Sequence, residues 1–122
     1  MRGAVSQPDG KQINTGEMIL AQFGLLYVGE PKFSGSEEEG QAHQQRYFAW
    51  LDGLGDAAVN RGIPFGPPTR VDATGVSSEA REDRLTGLTI IEAEDMDAAI
   101  EIAKACPYIE LAALDVVQIF QM

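Results

Sequence analysis

The chain has 122 residues, of which nine are Lys or Arg and nineteen are Asp or Glu, giving a net charge of −10. This balance argues against nucleic acid or an anionic membrane as a partner, because neutralising phosphates requires clustered Lys and Arg. One cysteine and one histidine exclude an intramolecular disulfide and a Cys/His zinc site. The length fits one domain, and we expect neither a metal nor a cofactor.

The first 17 residues are rich in Gly, Gln, Asn and Ser and have no helical or alternating period. They predict a mobile N-terminal tail, followed by a single domain over residues 18–122. The apolar stretch at 18–28 is shorter than the ~20 residues that a membrane span needs, and Gln22 and Gly24 interrupt it. Residues 23–28 therefore predict a buried first strand.

A first helix is predicted to begin after Ser36, because Ser36 and Glu39 have the spacing of a capping box. Gly53 and Gly55 are read as positions inside this helix against which another element packs closely. Residues 60–62 are predicted to end this helix. The inward stripe of the helix is Ala42, Tyr47, Leu51, Leu54 and Ala58.

Residues 63–71 contain three prolines and predict an extended edge segment, followed by a turn at 72–75 and a short return strand near Val76. Residues 88–93 alternate as a strand does. Asp95 is the predicted N-cap of a helix over 96–105 that Pro107 ends, and residues 114–122 predict a last strand. Capping and solvent explain the acids around Asp95 better than a calcium site, since the EF-hand spacing is absent.

The order strand, helix, strand, strand, helix, strand is the split βαβ pattern of the ferredoxin-like α+β class. It predicts a four-stranded antiparallel sheet with two helices on one face. The last strand is apolar on both of its faces. We therefore expect a second copy to cover the other face of the sheet, giving a homodimer through sheet-to-sheet packing.

Two segments carry a family resemblance. LTGLTIIEAEDMDAA at 85–99 with AKACP at 103–107, and WLDGLGD at 50–56 with PFGP at 64–67, resemble the YCII-related family, also called DGPF-type proteins. The resemblance implies a dimeric α+β barrel among small bacterial cytoplasmic proteins, most of which lack an assigned reaction. Some members have a His and Asp pair in a cleft. Here the only histidine, His43, lies nearly two helical turns before the matching position near residues 49–50.

His43 and Asp56 are the candidate catalytic residues. The ordinary pKa of histidine suits proton transfer at neutral pH, and Asp56 could act as a base. The alternative is that both are ordinary exposed side chains of the first helix. Cys106 is interpreted as a small buried hydrophobic residue, since a helix C-terminus does not favour a thiolate.

The candidate ligand-binding residues come from two segments. Tyr47 and Trp50 lie one turn apart on the first helix and could wall an apolar pocket, although core or interface packing explains them as well. The proline-rich segment adds Phe65, Thr69 and Arg70, of which Arg70 could bind an anionic group or pair with a surface acid.

Three functions remain open from these residues. The first is binding of a small organic molecule, which could be anionic, in a pocket between the first helix and the sheet. The second is a cofactor-free isomerase, lyase or hydrolase that uses Asp56 or His43. The third is a regulatory or dimerisation module without a ligand.

Overall fold

A sheet of four antiparallel strands forms the centre of the computed structural model, which describes residues 20–31 and 33–120. The predicted tail at 1–17 lies outside the described residues. The strands run in the order β2-β5-β1-β6, which confirms the predicted ferredoxin-like α+β class. The elements are β1 (Ala21–Val28), α1 (Glu37–Leu54), β2 (Ala58–Pro64), β3 (Arg70–Asp72), β4 (Gly75–Ser77), β5 (Leu85–Ala93), α2 (Met96–Lys104) and β6 (Ala113–Ile119).

Helix α1 begins at the predicted cap. The amide of Glu39 donates to Ser36 Oγ at 3.1 Å, and the amide of Ser36 donates to Glu39 Oε1 at 2.9 Å. These two bonds hold the pKa of Glu39 below its ordinary value. Helix α2 begins in a related way, since the amide of Ala98 donates to Asp95 Oδ1 at 2.8 Å. Both helix starts were correctly predicted from the sequence.

The predicted end of the first helix is wrong. Helix α1 stops at Leu54, and Gly55 has a φ of 55°, which leads into a short 3₁₀ turn over Gly55–Ala57. Ala58, placed in the helical stripe by its spacing, is the first residue of β2. A Cβ atom built on Gly53 or Gly55 meets nothing within 4 Å, so no described residue packs against them as expected.

The second strand also begins earlier than predicted. It covers Ala58–Pro64 and lies at the edge of the sheet, where a terminal proline costs no ladder bond. The strands β3 and β4 form a separate hairpin around the predicted turn. Val71 pairs with Val76 in this hairpin, and the two residues are 73% and 71% exposed.

The core lies between the sheet and both helices. Phe23 and Leu25 of β1, Ile91 of β5, and Ala99 and Ala103 of α2 are buried together. Trp50 and Leu54 of α1 pack against the same cluster, which places the two helices on one face of the sheet. Alternation along β1 and β5 puts these apolar residues on the helix side.

The other face of the sheet is also apolar. A Cβ atom on Gly24 would lie 3.1 Å from Leu88 Cδ1, 3.3 Å from Val117 Cγ2 and 3.7 Å from Ile119 Cδ1, so these side chains gather over the glycine. Val117 is 39% exposed. We call Leu88, Val117 and Ile119 the outer apolar face. No described element covers it.

Candidate functional site

A cleft of about 940 Å³ lies between α1 and three strands of the sheet, β1, β5 and β2. Helix α1 contributes His43, Tyr47 and Leu51 to its wall, and the 3₁₀ turn Pro107–Glu110 contributes Tyr108. Most of the remaining wall is apolar side chain or strand backbone. This size and lining are typical of sites that bind small organic molecules.

A chain of hydroxyl groups crosses the floor of this cleft. The hydroxyl of Tyr47 lies 2.5 Å from that of Tyr27, and the Tyr27 hydroxyl lies 2.6 Å from Thr89 Oγ1. Thr89 in turn donates to the backbone carbonyl of Arg61 at 3.1 Å. Thr89 is fully buried and Tyr27 nearly so, and burial raises the pKa of Tyr27 above its ordinary range.

A second pair of hydroxyls lies beside the first chain. The Tyr108 hydroxyl donates to the carbonyl of Gly29 at 2.7 Å, and Thr86 Oγ1 lies 3.2 Å from the Tyr108 oxygen. The Tyr108 ring packs edge-on against Tyr27 with 4.8 Å between centroids. Both Thr86 and Tyr108 line the cleft, so its floor combines aromatic surface with hydroxyl oxygens.

His43 lies in the wall of the cleft. Its side chain is only 12% exposed, which corrects the expectation of an ordinary exposed histidine. Nε2 lies 2.9 Å from the carbonyl of Pro107, and because a carbonyl oxygen only accepts, the proton is on Nε2. Glu110 Oε1 lies 3.7 Å from the same nitrogen. The pKa of Glu110 is held below its ordinary value, chiefly by its hydrogen bond with Arg46.

Arg61 is the cationic residue among those lining the cleft. Its guanidinium donates to Asp52 Oδ1 at 2.6 Å, and both side chains are more than half exposed. Arg61 lies between Asn60 and Ile63, where the pairing of β2 with β5 shifts register. Arg61 therefore lies in an irregular part of the edge strand.

The structure brings only part of the predicted site together. His43 and Tyr47 line the cleft. Trp50 packs against the core, donates from its indole nitrogen to the carbonyl of Ile102 at 3.1 Å, and lies 5.7 Å from the Tyr47 ring. The other predicted residues are exposed and outside the cleft lining: Asp56 in the turn after α1, Phe65 after β2, and Thr69 and Arg70 at the base of the hairpin.

Sequence reasoning did not identify Tyr27, Thr89, Tyr108 and Arg61. A signal existed for the first two, because Tyr27 follows Phe23 and Leu25 at alternate positions, and Thr89 alternates with Ile91. A polar group at such an inward position must find a hydrogen-bond partner. Tyr108 and Arg61 had no such signal, since a 3₁₀ turn and an irregular edge strand place them.

Cys106 is buried, as predicted, and burial raises the pKa of its thiol to about 11.

Within residues 20–31 and 33–120, no three or more His, Cys, Asp or Glu side chains form a group that could hold a metal ion. No helix in the described part of the chain is both long enough and apolar enough to cross a membrane.

Comparisons with known proteins agree with the fold. The YCII-related domain family matches residues 21–122. No curated protein matches the chain. The solved structure of 5-chloro-2-hydroxyhydroquinone dehydrochlorinase (TftG) from Burkholderia phenoliruptrix AC1100, in complex with 2,5-dihydroxybenzoquinone, is similar at a TM-score of 0.52 and 21% identity, over 83% of this chain and 95% of that one. The chain described here belongs to the YCII-related family.

Proposed function

We propose that this protein binds a small organic ring compound in the cleft between α1 and the sheet, as a homodimer. The observation that carries this proposal is the cleft of about 940 Å³ with aromatic walls and a floor of hydroxyl oxygens. Apolar pockets with a few convergent polar groups are the usual form of small-molecule sites.

The shape of the floor favours a planar ligand. The rings of Tyr27 and Tyr108 stand at 73° to each other, and Tyr47 lies against Tyr27 at 6.1 Å between centroids. A flat ring can stack on one of these faces and present its edge to another. The hydroxyl oxygens then lie where ring substituents would reach them.

The structural comparison supports the same ligand class. TftG is a dehydrochlorinase of a chlorinated hydroxyhydroquinone, and its structure contains 2,5-dihydroxybenzoquinone. At 21% identity the likeness shows a shared fold only. We extend the ligand class to this chain because its own cleft has the size and the aromatic lining that hydroxylated rings require.

The homodimer rests on the outer apolar face. Leu88, Val117 and Ile119 gather on the side of the sheet away from the helices. Two copies packed through this face would remove these side chains from water, and self-complementary patches of this kind form C2 dimers. Such packing leaves the cleft free, because the cleft lies on the helix side.

Binding is tested by calorimetry with hydroxylated single-ring compounds. Tyr47→Ala removes part of the cleft wall and should weaken binding at least about tenfold, as expected for an aromatic contact in a pocket. Phe120→Ala is the matched control, because Phe120 is 74% exposed and does not line the cleft. Equal affinities of the two variants would contradict the proposal.

A second function, cofactor-free acid–base catalysis, is favoured by the position of His43. Its side chain is 12% exposed in the cleft wall, with a carboxylate at 3.7 Å. Because Nε2 donates to Pro107, the neutral ring keeps its lone pair on Nδ1, the atom that would accept a proton. His43→Gln retains an amide donor for Pro107 but cannot transfer protons. It should abolish turnover of any substrate that the wild-type protein converts, and an unchanged kcat would contradict this function.

A further inference from the structure

The hydroxyl chain on the cleft floor has a fixed direction. Thr89 has one hydroxyl proton, and a carbonyl oxygen can only accept, so the 3.1 Å bond to the carbonyl of Arg61 uses that proton. The 2.6 Å bond between Thr89 and Tyr27 must then be donated by Tyr27. With the Tyr27 proton used in this way, its 2.5 Å bond with Tyr47 must be donated by Tyr47.

Burial keeps the chain in this arrangement. Thr89 is 0% exposed and Tyr27 is 6% exposed, so neither hydroxyl can exchange a protein partner for bulk water. A buried polar group left without its partner carries the full cost of its desolvation. The raised pKa of Tyr27, caused mainly by burial, means that this hydroxyl keeps its proton.

In the second hydroxyl pair, Tyr108 and Thr86, the Tyr108 proton is likewise donated within the protein. Tyr108 gives its proton to the carbonyl of Gly29 at 2.7 Å. Its oxygen is left with lone pairs, one of which faces Thr86 Oγ1 at 3.2 Å. Tyr47 and Tyr108 are the lining residues at which these two hydroxyl networks end. Each of them therefore uses its hydroxyl proton in a hydrogen bond within the protein.

We infer that the cleft floor selects ligands that donate hydrogen bonds, such as neutral phenols or enols, over ligands that only accept them. The inference rests on the proposed function and names the ligand class within it. It argues against the anionic ligand considered from the sequence, because an anion brings no proton to the lone pairs of Tyr47 and Tyr108. Tyr47 is the contact residue, and Thr89 acts through Tyr27 as a positioning residue.

A ligand can accept a hydrogen bond from Tyr47 only if the chain of hydroxyl bonds reverses. Tyr47 would then donate to the ligand, Tyr27 to Tyr47 and Thr89 to Tyr27, and the Thr89 bond to the Arg61 carbonyl would be lost. The loss of one net hydrogen bond corresponds to about three- to tenfold in affinity. This factor is the preference for donor ligands over acceptor ligands that we assign to the hydroxyl chain.

Thr89→Val should remove the preference for donor ligands over acceptor ligands. Valine is nearly isosteric with threonine but cannot accept the proton of Tyr27. Tyr27 then donates to Tyr47, and the Tyr47 proton becomes available to a ligand. Thr89→Ser keeps the hydroxyl and should restore the wild-type behaviour. Thr74→Val is the matched control, because Thr74 lies in the exposed turn of the hairpin.

The probes are phenol and pyridine N-oxide, which are similar in shape and neutral at pH 7. Phenol donates, whereas the N-oxide oxygen only accepts. Because phenol is the more apolar of the two, the informative quantity is the change in their affinity ratio between variants. NMR titration of the full-length protein measures both affinities.

We expect Thr89→Val to lower the phenol to N-oxide affinity ratio about three- to tenfold, chiefly by strengthening N-oxide binding. Thr89→Ser and Thr74→Val should leave the ratio within about twofold of wild type, which is less than the loss of one bond. A folded Thr89→Val protein with an unchanged ratio would overturn the inference while leaving the proposed function intact.

Tyr47→Phe provides an independent test if Thr89→Val does not fold. It removes the lone pairs of the Tyr47 hydroxyl oxygen, which accept the proton of phenol. It should therefore weaken phenol binding but not N-oxide binding. Equal losses for both probes would overturn the inference. If neither probe binds the wild-type protein, the proposed function fails, and the inference fails with it.

Discussion

The hydroxyl oxygens of Tyr27 and Tyr47 lie 2.5 Å apart and join the buried strand β1 to helix α1 at the floor of the cleft. Tyr27 contacts the neighbouring strand β5 through Thr89, so a single network of hydroxyls ties the helix to two adjacent strands. The tyrosines that line the cleft therefore also hold α1 against the sheet. Stability and ligand binding are coupled at these residues.

Tyr27→Phe should lower the free energy of unfolding by about 1–3 kcal/mol, because it leaves the buried hydroxyl of Thr89 without the proton that it accepts. Urea unfolding followed by circular dichroism measures the change. A loss smaller than the error of the measurement would show that this bond contributes nothing net to the fold.

The two glycines at the end of α1 should respond in opposite directions to alanine. Gly53 lies within the helix and has open space around it, so Gly53→Ala should stabilise the protein by about 0.5–1 kcal/mol. Gly55 has a φ of 55°, so Gly55→Ala should destabilise it by about 1–2 kcal/mol. Urea unfolding of both variants under one set of conditions tests this, and changes of the same sign would contradict the helix end described above.

The buried thiol of Cys106 should make stability depend on pH in the alkaline range. Its pKa is raised by burial from its ordinary value of 9.0 to about 11. Above pH 9 the unfolded chain loses this proton and the folded chain keeps it, so the free energy of unfolding should fall between about pH 9 and 11.

Cys106→Ala isolates this contribution. Alanine cannot ionise, so the variant should lose about 1–3 kcal/mol less than wild type over the same pH interval. Other groups that titrate in this range cancel in the difference. Parallel pH profiles of the two proteins would show that the thiol does not contribute.

Val117→Lys should convert the proposed dimer into a monomer, because it places a charge in the outer apolar face. Ile100→Lys is the matched control on α2, since Ile100 is 38% exposed and Val117 39%. Sedimentation velocity at micromolar concentration distinguishes the two states. Wild-type protein that sediments as a 13.2 kDa species would contradict the dimer outright.

The sequence predicted the parts of the fold that depend on neighbouring residues. Ser36 with Glu39, and Asp95 with the apolar face behind it, are local signals, and both helices begin there. The end of α1 was missed because Ala58 keeps a helical spacing with Leu54 although the chain turns at Gly55. The turn depends on the backbone conformation of one glycine, which the apolar pattern does not encode.

The cleft was harder to predict because its residues meet only through the tertiary fold. Tyr27 and Thr89 are 62 positions apart, and His43 and Pro107 are 64 positions apart. Tyr47 was identified because it lies one helical turn from Trp50 on α1, where two aromatic side chains could wall a pocket. Arg70 was expected at the site because it is a rare base after the proline-rich segment, but the hairpin carries it away from the lining of the cleft.

The most direct test of the proposed ligand site is an amide NMR titration of the isotope-labelled protein with phenol. We expect saturable shift changes concentrated at the cleft, above all at Thr86 and Gly87 of β5 and at Tyr108. Saturable changes confined to the β3–β4 hairpin or to the outer apolar face, or no saturable change at all, would contradict it.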